Sequence, residues 1–157
     1  MPSSPAPLTE VAALARPVVE RIVWCTVATA AGDGEVRSRL MHPVWSWDGA
    51  APVALVSARR TPVKVRDLAA NPSVSCFYWD PAHDTVAIDA HAEWIADGDR
   101  RATWDAIAAV APPVGFDPAT IWPAGPDDEG CAFLRFTARR IVATAAGRPG
   151  LRWRSPG

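Results

Sequence analysis

Ser57-Ala-Arg-Arg-Thr-Pro-Val-Lys64 marks the point where an apolar run stops and a helix begins, and Val65-Arg-Asp-Leu-Ala-Ala-Asn-Pro72 carries that helix to its end. Thr61 is a favoured N-cap and Pro62 a favoured first helical residue, because the N–H that proline lacks would have no partner there. The spacing predicts a helix over 63–70 with Val65, Leu68 and Ala69 as its buried stripe. Asn71-Pro72 stops it, since the residue before a proline is pushed out of the helical region. The charge is the odd feature. Lys64 lies in the first turn, with Arg59 and Arg60 just before it, where the helix dipole disfavours each cation by about 0.3–1 kcal/mol. A bound anion removes the conflict: free N–H groups, the Ser57 and Thr61 hydroxyls and the cations together suit a phosphate. A solvated basic turn is the plain alternative.

Outward from this stretch the chain reads as short strands. Strand-like runs fall at 21–30, 35–47, 52–57, 73–80, 85–96 and 131–143, between turns such as Ala31-Gly-Asp-Gly34 and Trp47-Asp-Gly49. In the fifth run Val86, Ile88, Ala90, Ala92 and Trp94 form a core face, while Thr85, Ala87, Asp89, His91 and Glu93 form a wet or subunit-facing one. Thr9-Glu10 is expected to cap a first helix carrying Val11, Leu14, Ala15, Val18 and Val19, kinked or shortened by Pro17. A further helix is expected over 99–110, ended by Pro112-Pro113, and 115–130 reads as a long loop. Six strands with few helices between them predict a mainly β fold, an antiparallel barrel rather than a doubly wound sheet. Neither GxGxxG nor a P-loop motif occurs, which argues against those nucleotide folds.

The length of 157 residues suits one domain, expected over 8–157 behind a disordered tail at 1–7. A net charge of −1 gives no pull toward nucleic acid or an anionic membrane, so the basic turn is a local feature and a small anion its partner. Cys25, Cys76 and Cys131 lie far apart beside apolar runs with no CxxC pair, which suits reduced core thiols. Met1-Pro-Ser-Ser-Pro-Ala-Pro7 lacks the basic start and apolar run of a signal peptide, and no apolar stretch approaches membrane-spanning length. A cytoplasmic location is expected.

Three segments together carry a family likeness: Trp24-Cys-Thr-Val-Ala, then Arg37-Ser-Arg-Leu-Met-His-Pro-Val-Trp45, then the run from Ser57 through Lys64 and Asn71-Pro72 to Trp79. They resemble the pyridoxamine 5′-phosphate oxidase-like, flavin-binding split-barrel superfamily over about residues 10–96, with a weaker echo at 133–153. The resemblance implies a six-stranded antiparallel split β-barrel of Greek-key type with a few short flanking helices. It also implies a homodimer, with FMN, or in some branches a deazaflavin, in clefts between the subunits. It places Arg39 on the strand beside the flavin, and Ser57 and Lys64 where the cofactor phosphate is held, with Thr61 and Arg59 as helpers. Arg37 and Arg39 alternate with Ser38, so both share a strand face and can flank one anion; a solvated Arg37 is the alternative. The Arg-x-His segment that contacts substrate in true pyridoxamine phosphate oxidases has no match in Arg152-Trp153-Arg154. The likeness therefore points to the superfamily rather than to that vitamin reaction.

Asp89, His91 and Glu93, with His83 or Asp84, have the chemistry of divalent-metal ligands, but a structural polar row suffices and no metal site is assigned. His42 lies three positions from Arg39 and is expected on the opposite strand face, packed or at an interface. Eight tryptophans are many for this length, and Trp45, Trp47, Trp79, Trp94 and Trp122 are candidates to line a pocket for a flat ring. Trp79 or Trp122 is expected nearest the flavin. No G-x-S-x-G turn is present, and no residue has the credentials of a general acid or base.

The expected function is an FMN-binding oxidoreductase, in which the flavin exchanges hydride with a small organic substrate and the protein supplies position and a dry cleft. Within that class the alternative is a deazaflavin-dependent reductase, whose longer polyanionic tail would suit Arg59 and Arg60. Outside it, the alternative is a non-catalytic flavin or haem carrier or sensor.

Overall fold

The computed structural model describes residues 3–156. In chain order the elements are β1 (Ser4–Pro5), α1 (Leu8–Ile22), β2 (Cys25–Ala30), β3 (Val36–Met41), β4 (Val44–Ser46), β5 (Val53–Ser57) and α2 (Pro62–Ala70). There follow β6 (Ser73–Trp79), β7 (Thr85–Trp94), α3 (Arg100–Ala108), β8 (Phe133–Thr144) and β9 (Leu151–Arg154). The strands pair in the order β1-β9-β8-β7-β6-β2-β3, with β5 also on β8 and β4 on β5. The long strand β8 makes the split. One half of its outer edge, Phe133 to Thr137, pairs with β5, and the other half, Arg140 to Ala143, pairs with β9. The result is a split β-barrel with helices on its flanks.

Among the described residues nine strands stand where six were expected: β9 adds a short strand beyond the last expected run, and the other two have local reasons. His42-Pro43 breaks the run at 35–47 into β3 and β4, because proline has no N–H to give to a ladder. The tail expected to be disordered is instead paired: Ser4 N–H donates to the Gly150 carbonyl and Ala6 N–H to the Arg152 carbonyl, both at 2.9 Å. The free edge of β9 supplies acceptors that a two-residue parallel strand satisfies. Residues 1 and 2 of that tail lie outside the described residues.

Helix α1 runs through Pro17 to Ile22, so Arg21 belongs to its last turn and not to the strand expected from residue 21. Its buried face, Val11, Ala15, Val18 and Val19, packs on the sheet with Val27, Cys76, Ile88 and Ile141, and that contact outweighs the hydrogen bond lost at Pro17. Pro7 stands at the N-cap, with Thr9 and Glu10 inside the first turn. In β7 the core face holds as its alternation predicts, Val86, Ile88, Ala90 and Ala92 buried and Trp94 partly so. A second, smaller cluster of Val44, Ile95, Ile107, Trp122, Cys131 and Phe133 anchors the loop after α3. All three cysteines are free and buried.

Helix α2 is capped as its sequence demands, the Thr61 hydroxyl oxygen accepting the Lys64 N–H at 3.3 Å. Its inward face differs from expectation. Leu68 is buried, but Val65 and Ala69 are exposed, and Asp67 turns inward instead. Asp67 can do so because Arg37 and Arg66 neutralise it, at 3.1 and 3.2 Å.

Candidate functional site

Strand β3, the end of β5 and the first turn of α2 converge on a cavity of about 440 Å³. One end is cationic. Arg39, Ser57, Arg59, Thr61 and Lys64 all line it, brought together from three elements. The Arg39 guanidinium donates to the hydroxyl of buried Thr29 at 3.0 Å, and the Lys64 ammonium to the Arg59 carbonyl at 3.0 Å. The Arg59 guanidinium lies over the Trp122 ring, 4.7 Å from its centroid. The Ser57 hydroxyl is enclosed without a partner.

Two features of this end point to an anion. Among the described residues, no carboxylate lines the cavity, and none of its three cations forms a salt bridge, whereas Arg37, Arg66, Arg100 and Arg140 each do. Burial, together with the nearby charge of Arg39, pushes the Lys64 ammonium below its usual pKa. A phosphate reverses both costs, supplying opposite charge to the cations and acceptors to the hydroxyls and to the Val63 N–H, since Pro62 has none and Thr61 already accepts from the Lys64 and Val65 N–H groups. The unpaired Ser57 hydroxyl alone costs about 1–3 kcal/mol until such a partner arrives.

The rest of the lining is aromatic and apolar, formed by Trp24, Met41, His42, Phe116, Ile121 and Trp122. Trp24 reaches it through an unusual turn. Val23, at φ 68° and ψ −59°, lets the Trp24 N–H donate to the Ile22 carbonyl at 2.7 Å, a tight three-residue turn that a β-branched residue rarely adopts. His42 packs against Trp24 and Phe116 in tilted contacts, at centroid distances of 5.2 and 4.7 Å. Its Nε2 lies 2.7 Å from the Val114 carbonyl oxygen. The expectation that His42 faces away from Arg39 fails because β3 stops at Met41, and strand alternation stops with it.

Of the residues nominated from the sequence, Arg37, Arg60, Trp45, Trp47, Trp79 and Trp94 do not line the cavity. Arg37 is drawn to Asp67 at 3.1 Å and Glu35 at 2.8 Å and does not line the cavity. Trp79 stands exposed at the end of β6, its ring 6.0 Å from that of His83. Arg60 donates to the Ile95 carbonyl and lies over Trp94. In the polar row of β7, Asp89 is taken by Ser75 and Arg140 and Glu93 by Arg135. Trp24, Phe116 and Ile121 escaped the sequence reading of the pocket, and His42 was assigned to the wrong face. They come from a helix–strand junction, a strand break and the loop after α3, where no period assigns a face. The one signal available was the Pro43 break beside His42.

The family model for pyridoxamine 5′-phosphate oxidase matches residues 12–145. The chain belongs to this family. The matched span ends before β9, so the segment lacking the Arg-x-His pattern lies outside it. Among solved structures of the family's fold, a protein from Clostridium acetobutylicum related to general stress protein 26 of B. subtilis is 18% identical. It covers 94% of this chain and 93% of its own length at a TM-score of 0.70. A pyridoxamine 5′-phosphate oxidase-related, FMN-binding protein from Nostoc punctiforme is 12% identical, with 92% and 86% covered and a TM-score of 0.60. An F420 reductase is 19% identical, with 80% and 94% covered and a TM-score of 0.55. At such identities the likeness shows the fold. No curated protein matches the chain. No helix among the described residues is long and apolar enough to cross a membrane.

Proposed function

We propose that the cavity binds FMN by its phosphate and that the protein is a flavin-dependent oxidoreductase acting on a small organic molecule. The observation that carries this is the set of three cations without carboxylate partners gathered with an orphaned, enclosed hydroxyl on one cavity wall. Arg39 and Lys64 would take the phosphate charge, Ser57 and Thr61 its remaining oxygens, and Arg59 the outer edge. Trp24, Phe116, Ile121 and Trp122 offer the apolar surface that a tricyclic ring requires. Bound there, a flavin supplies the two-electron hydride chemistry that no side chain of this chain can perform. The side chains hold and orient the reactants, which needs no catalytic triad.

A second copy of the chain would complete the cavity. Leu40, Thr26 and Phe77 lie side by side across β3, β2 and β6, and Leu40 and Phe77 are 67% and 47% exposed. Leu40 and Trp24 belong both to this apolar face and to the cavity mouth, so covering the face closes the mouth.

A deazaflavin in place of FMN is the second reading. Arg59 also borders a polar cleft of about 290 Å³ with Arg60, Arg100, Asp97 and Glu129; Asp97 already pairs Arg100, so a longer anionic tail entering there would meet Arg59 and Arg60. Reconstitution and an absorption spectrum separate the readings. A yellow FMN complex that bleaches with NAD(P)H or dithionite and turns over with an acceptor supports the first. A protein that ignores FMN and becomes active only with a deazaflavin supports the second. Bound flavin with no turnover under any donor–acceptor pair supports a carrier.

A further inference from the structure

Among the described residues lining the cavity, His42 is the only side chain that can present an unprotonated ring nitrogen. The rest are cations, hydroxyls, a thioether and apolar or indole groups. Its state is fixed by its neighbours. A carbonyl oxygen can only accept, so the 2.7 Å contact with Val114 requires the proton on Nε2. Burial pushes the imidazole below its usual pKa, against the opposing pull of that carbonyl, which favours the neutral ring. Nδ1 then carries a lone pair. It has no partner among the described residues and is not one of the enclosed unpaired atoms, so a ligand can reach it. Trp24 and Phe116 pack against the ring at 5.2 and 4.7 Å, and with the Val114 contact they restrict the direction of that lone pair.

We infer that His42 is the residue that reads the edge of the planar ring bound in this cavity, its Nδ1 accepting a hydrogen bond from an N–H or O–H of that ring. The inference rests on the cavity being the ring site proposed above. Two sources share the required chemistry: the imide N–H of the flavin itself, and a donor group on an aromatic or heteroaromatic substrate. In either case the preferred ligand carries a donor at its edge, and an otherwise identical ring with that donor methylated is rejected, because the acceptor would be buried without a partner.

The test is ¹⁵N NMR of the histidine side chains, with the His42 signals assigned from the His42→Phe variant. Four additions are compared: FMN, N3-methyl-FMN, and then phenol or anisole added to the FMN-loaded protein. At pH 7 the unliganded protein should show the Nε2–H tautomer at His42. An Nδ1 signal that shifts with FMN but not with N3-methyl-FMN assigns the donor to the flavin. A shift that appears only with phenol, and not with anisole, assigns it to the substrate. His42→Phe, which keeps the aromatic stack, should then abolish the preference for the donor-bearing ligand, a preference of about tenfold for one hydrogen bond. An Nδ1–H tautomer, or an Nδ1 signal that none of the four ligands moves, overturns the inference. Absence of FMN binding by titration would instead overturn the cofactor reading, and phenol against anisole on the unloaded protein would still decide the role of His42.

Discussion

The Lys64 ammonium donates to the Arg59 carbonyl at 3.0 Å, and this bond holds a cation over the positive end of α2 with no carboxylate to balance it. Lys64→Ala should weaken FMN binding by about 1–3 kcal/mol, and Arg39→Ala by a similar amount, the scale of one lost charge-assisted hydrogen bond. Calorimetry reads both. The thermal midpoint of the cofactor-free Lys64→Ala protein should not fall, because the substitution removes a charge that the helix dipole disfavours.

The same lysine sets a pH dependence. Burial and Arg39 lower its pKa in the free protein, and a bound phosphate raises it again, so binding favours protonated Lys64. FMN affinity should be flat near neutrality and fall as the pH rises through the lowered Lys64 value, earlier than an ordinary lysine would allow. Lys64→Arg, charged at all accessible pH, should lose that alkaline fall. Titrations across the alkaline range decide it, and an equal fall in both proteins would assign it to another group.

Arg37 and Arg39 should separate by phenotype although they sit two residues apart. Arg37 neutralises the buried carboxylate of Asp67 at 3.1 Å and does not line the cavity. Arg37→Ala should therefore destabilise the fold by about 1–3 kcal/mol, tempered by the remaining Arg66 contact, and leave FMN affinity unchanged. Denaturant unfolding beside cofactor titration would show the crossed pattern.

At the far end of α1, the Arg21 Nε donates to the Asp80 carboxylate at 2.9 Å, joining the last helical turn to the loop after β6. Hydrogen bonds from Arg21 and from the Ala82 and Asp84 N–H groups hold the Asp80 pKa below its usual value. On acidification the unfolded chain takes up this proton first. The contribution is thus present above the unfolded carboxyl pKa of about 3.9 and is lost as pH falls through the lower folded value. Asp80→Asn should flatten the acid limb of a plot of thermal midpoint against pH.

The part of the site legible in the sequence is the part that is local. The cap at Thr61, the proline after it and the misplaced charge of Lys64 lie within a few residues and obey helix rules that tertiary context did not override. Ser57 and Arg59 followed from adjacency to that turn. Arg37 went astray because alternation assigns a face but not a partner, and its partner, Asp67, held a position on α2 that looked too polar to bury. The aromatic wall was illegible for a different reason. Trp24, His42 and Phe116 meet only through a positive-φ turn, a strand break and the packing of the loop after α3 on the smaller core. The edge strand β1 was hidden likewise, since two residues carry no period and depend wholly on a free neighbour.

The exposed row of Leu40, Thr26 and Phe77 tests the proposed pairing of subunits. Leu40→Glu should shift light scattering from dimer to monomer and weaken FMN binding with it, while leaving unfolding of the monomer cooperative. A monomeric wild type that binds FMN fully would contradict the shared cleft.

The most direct test of the phosphate site compares two ligands that differ only in that group. FMN and riboflavin should be titrated calorimetrically into the wild type and into the Arg39→Ala/Lys64→Ala double variant. The wild type should prefer FMN by several kcal/mol, about 1–3 for each charged contact, and the double variant should lose most of that preference. Equal affinity of the wild type for both ligands would contradict the account.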